Sequence, residues 1–415
     1  SSNITYTWHI TSSALASSLK SVVGNTYYVV TLEVTANNGA TSTKSRSFYL
    51  DNSSPTLSLS DISVSQTKEE GSYYINPSNA FTVKGATGDN LSTSLTTWLS
   101  IEDSSGSSLY DGSSSSVTGS SWSLTVPAST LSTTTGSEAT LYIYAEDEAG
   151  NVGSTSVTLL SDATCPSWTT DSQTVDGKTY SFKINKADYD KDTSWYKDSS
   201  LPVSGIFTEA ESGVSKIYYW VTNPTDSSVK TADTSDLTSA TGSFEPTGST
   251  SSFAYFTNVT LGSFVASTTG TENESTEVYP NYLYLVAVDN VGNASSPAQI
   301  SINVDTESPI VTCTSHSGQQ YTNTVSDITE ISGTFTESGA SGVSSITLTV
   351  NGNSIDAVLS TNDSYASGTW SASISATDYL TSLSSGSSYP VTAKVTDKAG
   401  NSNQSSIFTL SVDTA

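Results

Sequence analysis

Apolar side chains recur at every second position over short runs of this chain, and Gly, Asn, Ser and Asp separate the runs. Ile346-Thr-Leu-Thr-Val350 is one of them. A period of two places successive side chains on opposite faces, so each run reads as a half-buried β-strand. Toward the C-terminus the pattern predicts strands at Ile310–Thr314, Ile328–Thr336, Ser345–Val350, Asp356–Ser360, Thr369–Ala376, Tyr389–Thr396 and Ser406–Val412. No helical periodicity of useful length appears, and Thr11–Val22 is ambiguous. Short strands at this spacing argue for an antiparallel β-sandwich, in which each strand buries one face against the opposite sheet.

A longer period lies over the short one. Tyr142-Ile-Tyr-Ala-Glu-Asp147-Glu-Ala-Gly150-Asn151 is followed by Asp162 and Pro166. Leu285-Val-Ala-Val-Asp289-Asn-Val-Gly292-Asn293 is followed by Asp305 and Pro309. Asp397-Lys-Ala-Gly400-Asn401 is followed by Asp413, and a decayed copy, with Ala36 in place of the Asp, precedes Asp51 and Pro55. Intervals of 111, 143 and 108 residues separate Asp51, Asp162, Asp305 and Asp413 in turn. Such intervals suit tandem sandwiches of about 100 residues each. The expected domains are 1–51 (the C-terminal part of one), 52–162, 163–305 with an insertion, and 306–415. The chain ends inside its own linker motif and has no Met, so it is expected to be an interior piece of a longer polypeptide.

The interior of the repeat is shared as well. Ser204-Gly-Ile-Phe-Thr-Glu209 matches Ser332-Gly-Thr-Phe-Thr-Glu337, and Gly119-Ser-Ser-Trp122-Ser matches Gly368-Thr-Trp370-Ser. Gly-Thr-Trp-Ser, Asp-Lys-Ala-Gly-Asn and Val-Asp-Thr-x-x-Pro together resemble the bacterial Ig-like tandem repeat domains of large surface adhesins and biofilm proteins. The resemblance implies an all-β chain of tandem Ig-like antiparallel β-sandwich domains in an elongated rod. It also implies an extracellular, cell-surface stalk, often stiffened by calcium between domains. Its partners would be neighbouring Ig-like domains of the same longer chain. A self-assembling filament or surface layer built from copies of the chain, and a carbohydrate-binding array that meets surface glycans, are the alternatives.

Strand direction in an Ig-like sandwich sorts the repeated carboxylates into sets. The loop after the second strand and the turn between the last two strands lie at the end where the chain enters; the last strand then runs to the opposite end. Each Asp-x-x-Gly-Asn turn therefore faces the linker before it. This predicts three clusters: Asp51 with Asp89 and Asp147; Asp162 with Glu209, Glu211 and Asp289; Asp305 with Glu337 and Asp397. Calcium takes six to eight oxygens from carboxylates, carbonyls and water, and it would turn mutual repulsion into a clamp. Alternatively, or in addition, each Asp caps its own turn by accepting backbone N–H groups. Asp413 has no such turn within the chain to face. Gly150, Gly292 and Gly400 should supply positive φ.

Composition narrows the remaining chemistry. Forty acidic residues against 14 basic give a net charge of −26, which disfavours nucleic acid and anionic membrane. No apolar run is long enough to cross a bilayer. Cys165 and Cys313 are a whole domain apart, too far to pair. The only histidines, His9 and His316, lie in different repeats without a nucleophile motif, so no enzyme is expected. Asp188, Asp190, Asp192 and Asp198 alternate like a calcium loop, but Thr193 and Ser199 stand where Gly and Glu belong. Trp98 and Trp220 read as core filler, with a sugar-stacking surface as the alternative. Trp195 and Tyr196 carry a minor ligand-binding reading of the third domain.

Overall fold

The computed structural model describes residues 26–112, 115–118, 120–169, 172–175, 177–180, 182–184, 195–209, 211–222, 232, 235–249, 252–272, 275–361 and 366–415. Thr11–Val22, His9, Asp188, Asp190, Asp192 and Thr193 lie outside them. The chain divides into two compact units, residues 1–164 with 290–293, and 165–289 with 294–415.

The first unit opens with a hairpin of Thr26–Thr35 and Thr41–Leu50. A sandwich follows. One sheet has the order Ser121–Val126, Phe81–Gly88, Thr56–Ile62. The facing sheet runs Ser65–Glu69, Ser72–Ile75, Val152–Ser161, Glu138–Glu146, Ser94–Asp103, Ser108–Asp111. Val83, Leu99, Ile101, Trp122, Leu141, Ile143 and Leu159 fill the space between.

The second unit holds two more sandwiches of the same plan. In the last, Ile310–Cys313, Ile328–Thr336, Ser367–Ile374 and Val358–Thr361 form one sheet. Gln319–Thr322, Ser402–Val412, Ser388–Asp397, Val343–Val350 and Asn353–Asp356 form the other. The predicted all-β, Ig-like architecture is what the structure contains. Two details differ. The Asp356–Ser360 strand is two short strands in different sheets, Asn353–Asp356 and Val358–Thr361, and a π-turn at Ala376–Leu380 follows Ser367–Ile374. Gln319–Thr322 was not expected, because Gln-Gln-Tyr-Thr lacks apolar alternation; it pairs parallel to Ser402–Val412, a pairing made by backbone groups. Among the described residues no helix is long and apolar enough to cross a membrane.

Trp98 corrects the expectation of core filler, whereas Trp220 bears it out in a cluster apart from the space between the sheets. Leu95, Leu99 and Ile101 are buried toward the core, whereas Trp98 is out of phase with them. It sits half-buried on the outer face, stacked on Tyr144 at 5.1 Å and 11°. Trp220 is likewise out of phase with Ile217. It is buried under Ala232, Leu237 and Ala240, with its indole N–H donating to Ser239 Oγ at 3.2 Å. Ala232, Leu237 and Ala240 thus cover an outer sheet face. Trp195 is a buried strand residue paired with Asn303 and offers no exposed platform.

Trp122 and Trp370 are the indoles between the sheets, and a glycine makes room for each. Trp122 pairs with Gly85 and Trp370 with Gly333 across antiparallel strands. A Cβ on Gly333 would lie 1.8 Å from Thr312 O and 2.7 Å from Trp370 Nε1, the donor of the 3.0 Å hydrogen bond to that carbonyl. The space belongs to the ring and its acceptor. Gly333→Ala should cost about 1–3 kcal/mol through overpacking. Hydrogen exchange should show protection lost mainly in Ile328–Thr336 and Ser367–Ile374, and unchanged exchange there would refute the packing argument.

Candidate metal centre

Two of the turns that close a sandwich are each built around an aspartate, Asp147 and Asp397. Asp147 Oδ1 accepts the N–H groups of Ala149 and Asn151, both at 2.8 Å, and Oδ2 accepts Asn151 Nδ2 at 2.8 Å. Asp397 does the same with Gly400 at 2.6 Å and with Asn401 N–H and Nδ2 at 2.8 Å. Gly150, Gly292 and Gly400 take φ of +87°, +90° and +94°. The turn-capping role anticipated for these aspartates is therefore present.

The turn asparagine has a second task that sequence reasoning missed. Asn151 Nδ2 donates to the carbonyl of Asp51 at 3.2 Å, and Asn401 Nδ2 to that of Asp305 at 2.7 Å. Within the first unit, Asn293 Nδ2 donates to the carbonyl of Asp162 at 3.0 Å. In each case the motif's Asn grips the backbone of the linker aspartate. The recurring Gly-Asn spelling held the signal, since a turn alone would tolerate other residues after Gly.

Around this grip the carboxylates gather. Asp51, Asp89 and Asp147 each offer an oxygen, and these lie within 4.8 Å of one another. Asp51 Oδ1 accepts Ser53 N–H at 3.1 Å, and Asp89 Oδ2 accepts Leu91 and Ser92 N–H at 2.8 and 2.7 Å. Asp51 Oδ2 and Asp89 Oδ1 are buried without a hydrogen-bond partner. In the second unit, Asp305, Glu337 and Asp397 are all buried but do not close to the same degree. Asp305 Oδ2 accepts Ser341 N–H and Glu337 Oε1 accepts Gly339 N–H, both at 2.8 Å, while Glu337 Oε2 has no partner. A Cβ on Gly339 would stand 2.1 Å from Asp305 Oδ1, so this loop closes over Asp305 only with glycine there. Of the remaining set, Asp162 directly follows the strand Val152–Ser161 in the first unit. In the second unit, Glu209 and Asp289 bring carboxylate oxygens within 4.8 Å of each other. Glu211 is placed by its backbone, whose N–H donates to Glu209 Oε1 at 3.1 Å.

The electrostatics of the two fully described sets differ. Burial pushes the Asp147 carboxyl up, but bonds from Asn151, Ala149 and Gly150 outweigh it and hold the group below its ordinary value. Burial dominates for Asp397, and Asp305 adds repulsion, so its pKa is raised. Glu337 is pushed up to about 7, first by burial and then by Asp305 and Asp397, against the opposing bond from Gly339. None of these six carboxylates forms an ion pair with a base among the described residues. Buried carboxylate oxygens with no donor and no counter-charge are what a hard, oxygen-seeking dication requires.

A family model described as a bacterial Ig-like domain matches residues 166–256 and 297–413, half of the chain. No curated protein matches it. Among solved structures, a chain of a 1.5-MDa bacterial ice-binding adhesin is similar at 14% identity, covering 88% of this chain and 100% of that one, with a TM-score of 0.26. A tetra-tandem repeat from the extending region of a large adhesion protein matches at 18% identity, covering 92% and 81%, with a TM-score of 0.24. The D1–D4 ectodomain fragment of ICAM-5 matches at 13% identity, covering 93% and 83%, with a TM-score of 0.24.

The raised Glu337 predicts a pH dependence in chelator. The folded state retains a proton that the unfolded state loses near the ordinary glutamate value of 4.5, so this group's contribution is full below that value and is lost as pH rises through about 7. Glu337→Gln should remove that loss and stabilise the metal-free protein at pH 8 by about 1 kcal/mol, allowing for solvent screening. Melting midpoints across pH 5–8 would check this. A midpoint for the parent chain that rises over this range while the Glu337→Gln midpoint does not would contradict it.

Proposed function

The chain belongs to the bacterial Ig-like domain family, and from that premise we propose that it is an extracellular structural stalk of a bacterial surface adhesin or matrix protein, rigidified by calcium where one sandwich follows another. The observation that carries this reading is the set of buried, unpartnered carboxylate oxygens of Asp51, Asp89 and Glu337 beside the Asn grip on the linker backbone. Asp51, Asp89 and Asp147 would hold one ion, and Asp305, Glu337 and Asp397 another. Bound calcium would supply the positive charge these sets lack. The chain's own residues do the rest: the Asn side chains fix the linker, the turn N–H groups orient Asp147 and Asp397, and buried Pro55 and Pro309 restrict the backbone that enters each following sandwich. A stalk so built transmits force and holds whatever it carries at a distance. No catalytic role is proposed. The contact between His316 Nδ1 and Ser315 Oγ, at 2.8 Å, joins sequence neighbours, and Ser315 Oγ is already engaged with Ser332 N–H and C=O.

Calcium at a hundredfold excess over Kd should stabilise the folded protein by about 2.7 kcal/mol per site. Asp89→Asn tests the site by a change of sign. In chelator it relieves repulsion and leaves the melting midpoint level or higher; in calcium it removes a ligand and lowers it. No calcium in equilibrium dialysis, together with identical melting in calcium and chelator, would sink the clamp. Negative-stain images should contain isolated beaded rods, whereas ordered polymers would favour a filament subunit.

A further inference from the structure

The Asn grip is more elaborate within the first unit than elsewhere. There Asn293 donates through Nδ2 to the carbonyl of Asp162 at 3.0 Å and accepts through Oδ1 from Asn76 Nδ2 at 2.8 Å. Both ends of one side-chain amide are read. Asn76 is 5% exposed, and its Oδ1 accepts Ser78 N–H at 2.9 Å. That Asx turn fixes which way its amide points.

The same receiving half recurs at the far end of the last sandwich. Thr322 stands opposite Val412 in a parallel pair, as Ile75 stands opposite Ser161. Asp413 N–H donates to Thr322 O at 2.9 Å, as Asp162 N–H donates to Ile75 O at 2.9 Å. Asn323 follows Thr322 as Asn76 follows Ile75, and its Oδ1 accepts Val325 N–H at 3.1 Å, the same Asx turn. A cavity of 540 Å³ lies here, lined by Thr322, Asn323, Asp327 and Asp413 among others. Tyr321 and Val325 beside it are 73% and 75% exposed.

We infer that Asn323 and the carbonyl of Asp413 form a receptor for the Asp-x-x-Gly-Asn turn of another Ig-like domain. The turn's Asn donates to the Asp413 carbonyl and accepts from Asn323 Nδ2. An aspartate at that position offers no donor, and a glutamine places its amide one carbon too far out, so the receptor is specific for asparagine. Tyr321 and Val325 are covered by the arriving domain. The inference rests on the reading of the chain as joined Ig-like domains, and it is independent of calcium.

A fusion tests it. Residues 306–415 are appended directly after Asp413, which places Asp413 where Asp305 stands in the parent chain. Hydrogen exchange in chelator should slow about tenfold at Val325, the size of one net hydrogen bond. Asn323→Asp, which keeps the oxygen that accepts Val325 N–H but loses the Nδ2 donor, or Ala in place of the appended copy's turn Asn, should abolish the slowing relative to the same variant without the appended copy, and the double variant should lose no more than either single one. Protection in the appended copy's counterpart of Val343–Val350 reports that it has folded. A second fusion carrying residues 163–305 instead serves if it has not. Unchanged exchange at Val325 beside a folded neighbour, or slowing that survives both substitutions, overturns the inference. Slowing that appears in chelator even where calcium binding has failed separates this receptor from the metal clamp.

Discussion

A carboxylate that leaves water must find donors or a counter-charge, and this protein buries several at the ends of its sandwiches without a base beside them. Desolvation and mutual repulsion both oppose such an arrangement. The fold meets the cost unevenly. Asp147 receives three hydrogen bonds from its own turn and stays easily ionised. Glu337 receives one from Gly339 and retains its proton to about pH 7. The loops, the glycine at 339 and the asparagine grips are all arranged around keeping these groups close while leaving some oxygens unsatisfied.

This unevenness divides the work between two kinds of acid. Aspartates in the Gly-Asn turns are structural whether or not an ion is present, because their bonds close the hairpin. Asp89 and Glu337, on the loops that face the linker, have spare oxygens and no such duty to the turn. A cation would act chiefly through the second kind. The first kind would set the geometry it meets.

Much of this was legible in the sequence. Period-two runs gave the strands and the Asp-x-x-Gly-Asn phrase gave the sandwich ends, because both depend on local spacing. Strand direction alone paired Asp147 with Asp51 and Asp397 with Asp305. What escaped has a common cause. Gln319–Thr322 is held by backbone pairing to a distant strand, which leaves no apolar signature. The phase of Trp98 against Leu95 and Leu99 was present in the spacing, yet the pull of an aromatic toward the core masked it. Asn76, Gly339 and Ser341 matter through what they touch far along the chain, and no single-sequence pattern carries that.

The parallel pairing of Gln319–Thr322 with Ser402–Val412, and of Ser72–Ile75 with Val152–Ser161, bears on tension. In each sandwich one partner lies near the entry of the chain and the other near its exit. A pull applied to the two ends drives these strands past each other along their length. All rungs between them then carry the load together, instead of parting one after another like a zipper. In the last sandwich the load would fall on a short strand, Gln-Gln-Tyr-Thr, whose sequence gives little hint of it.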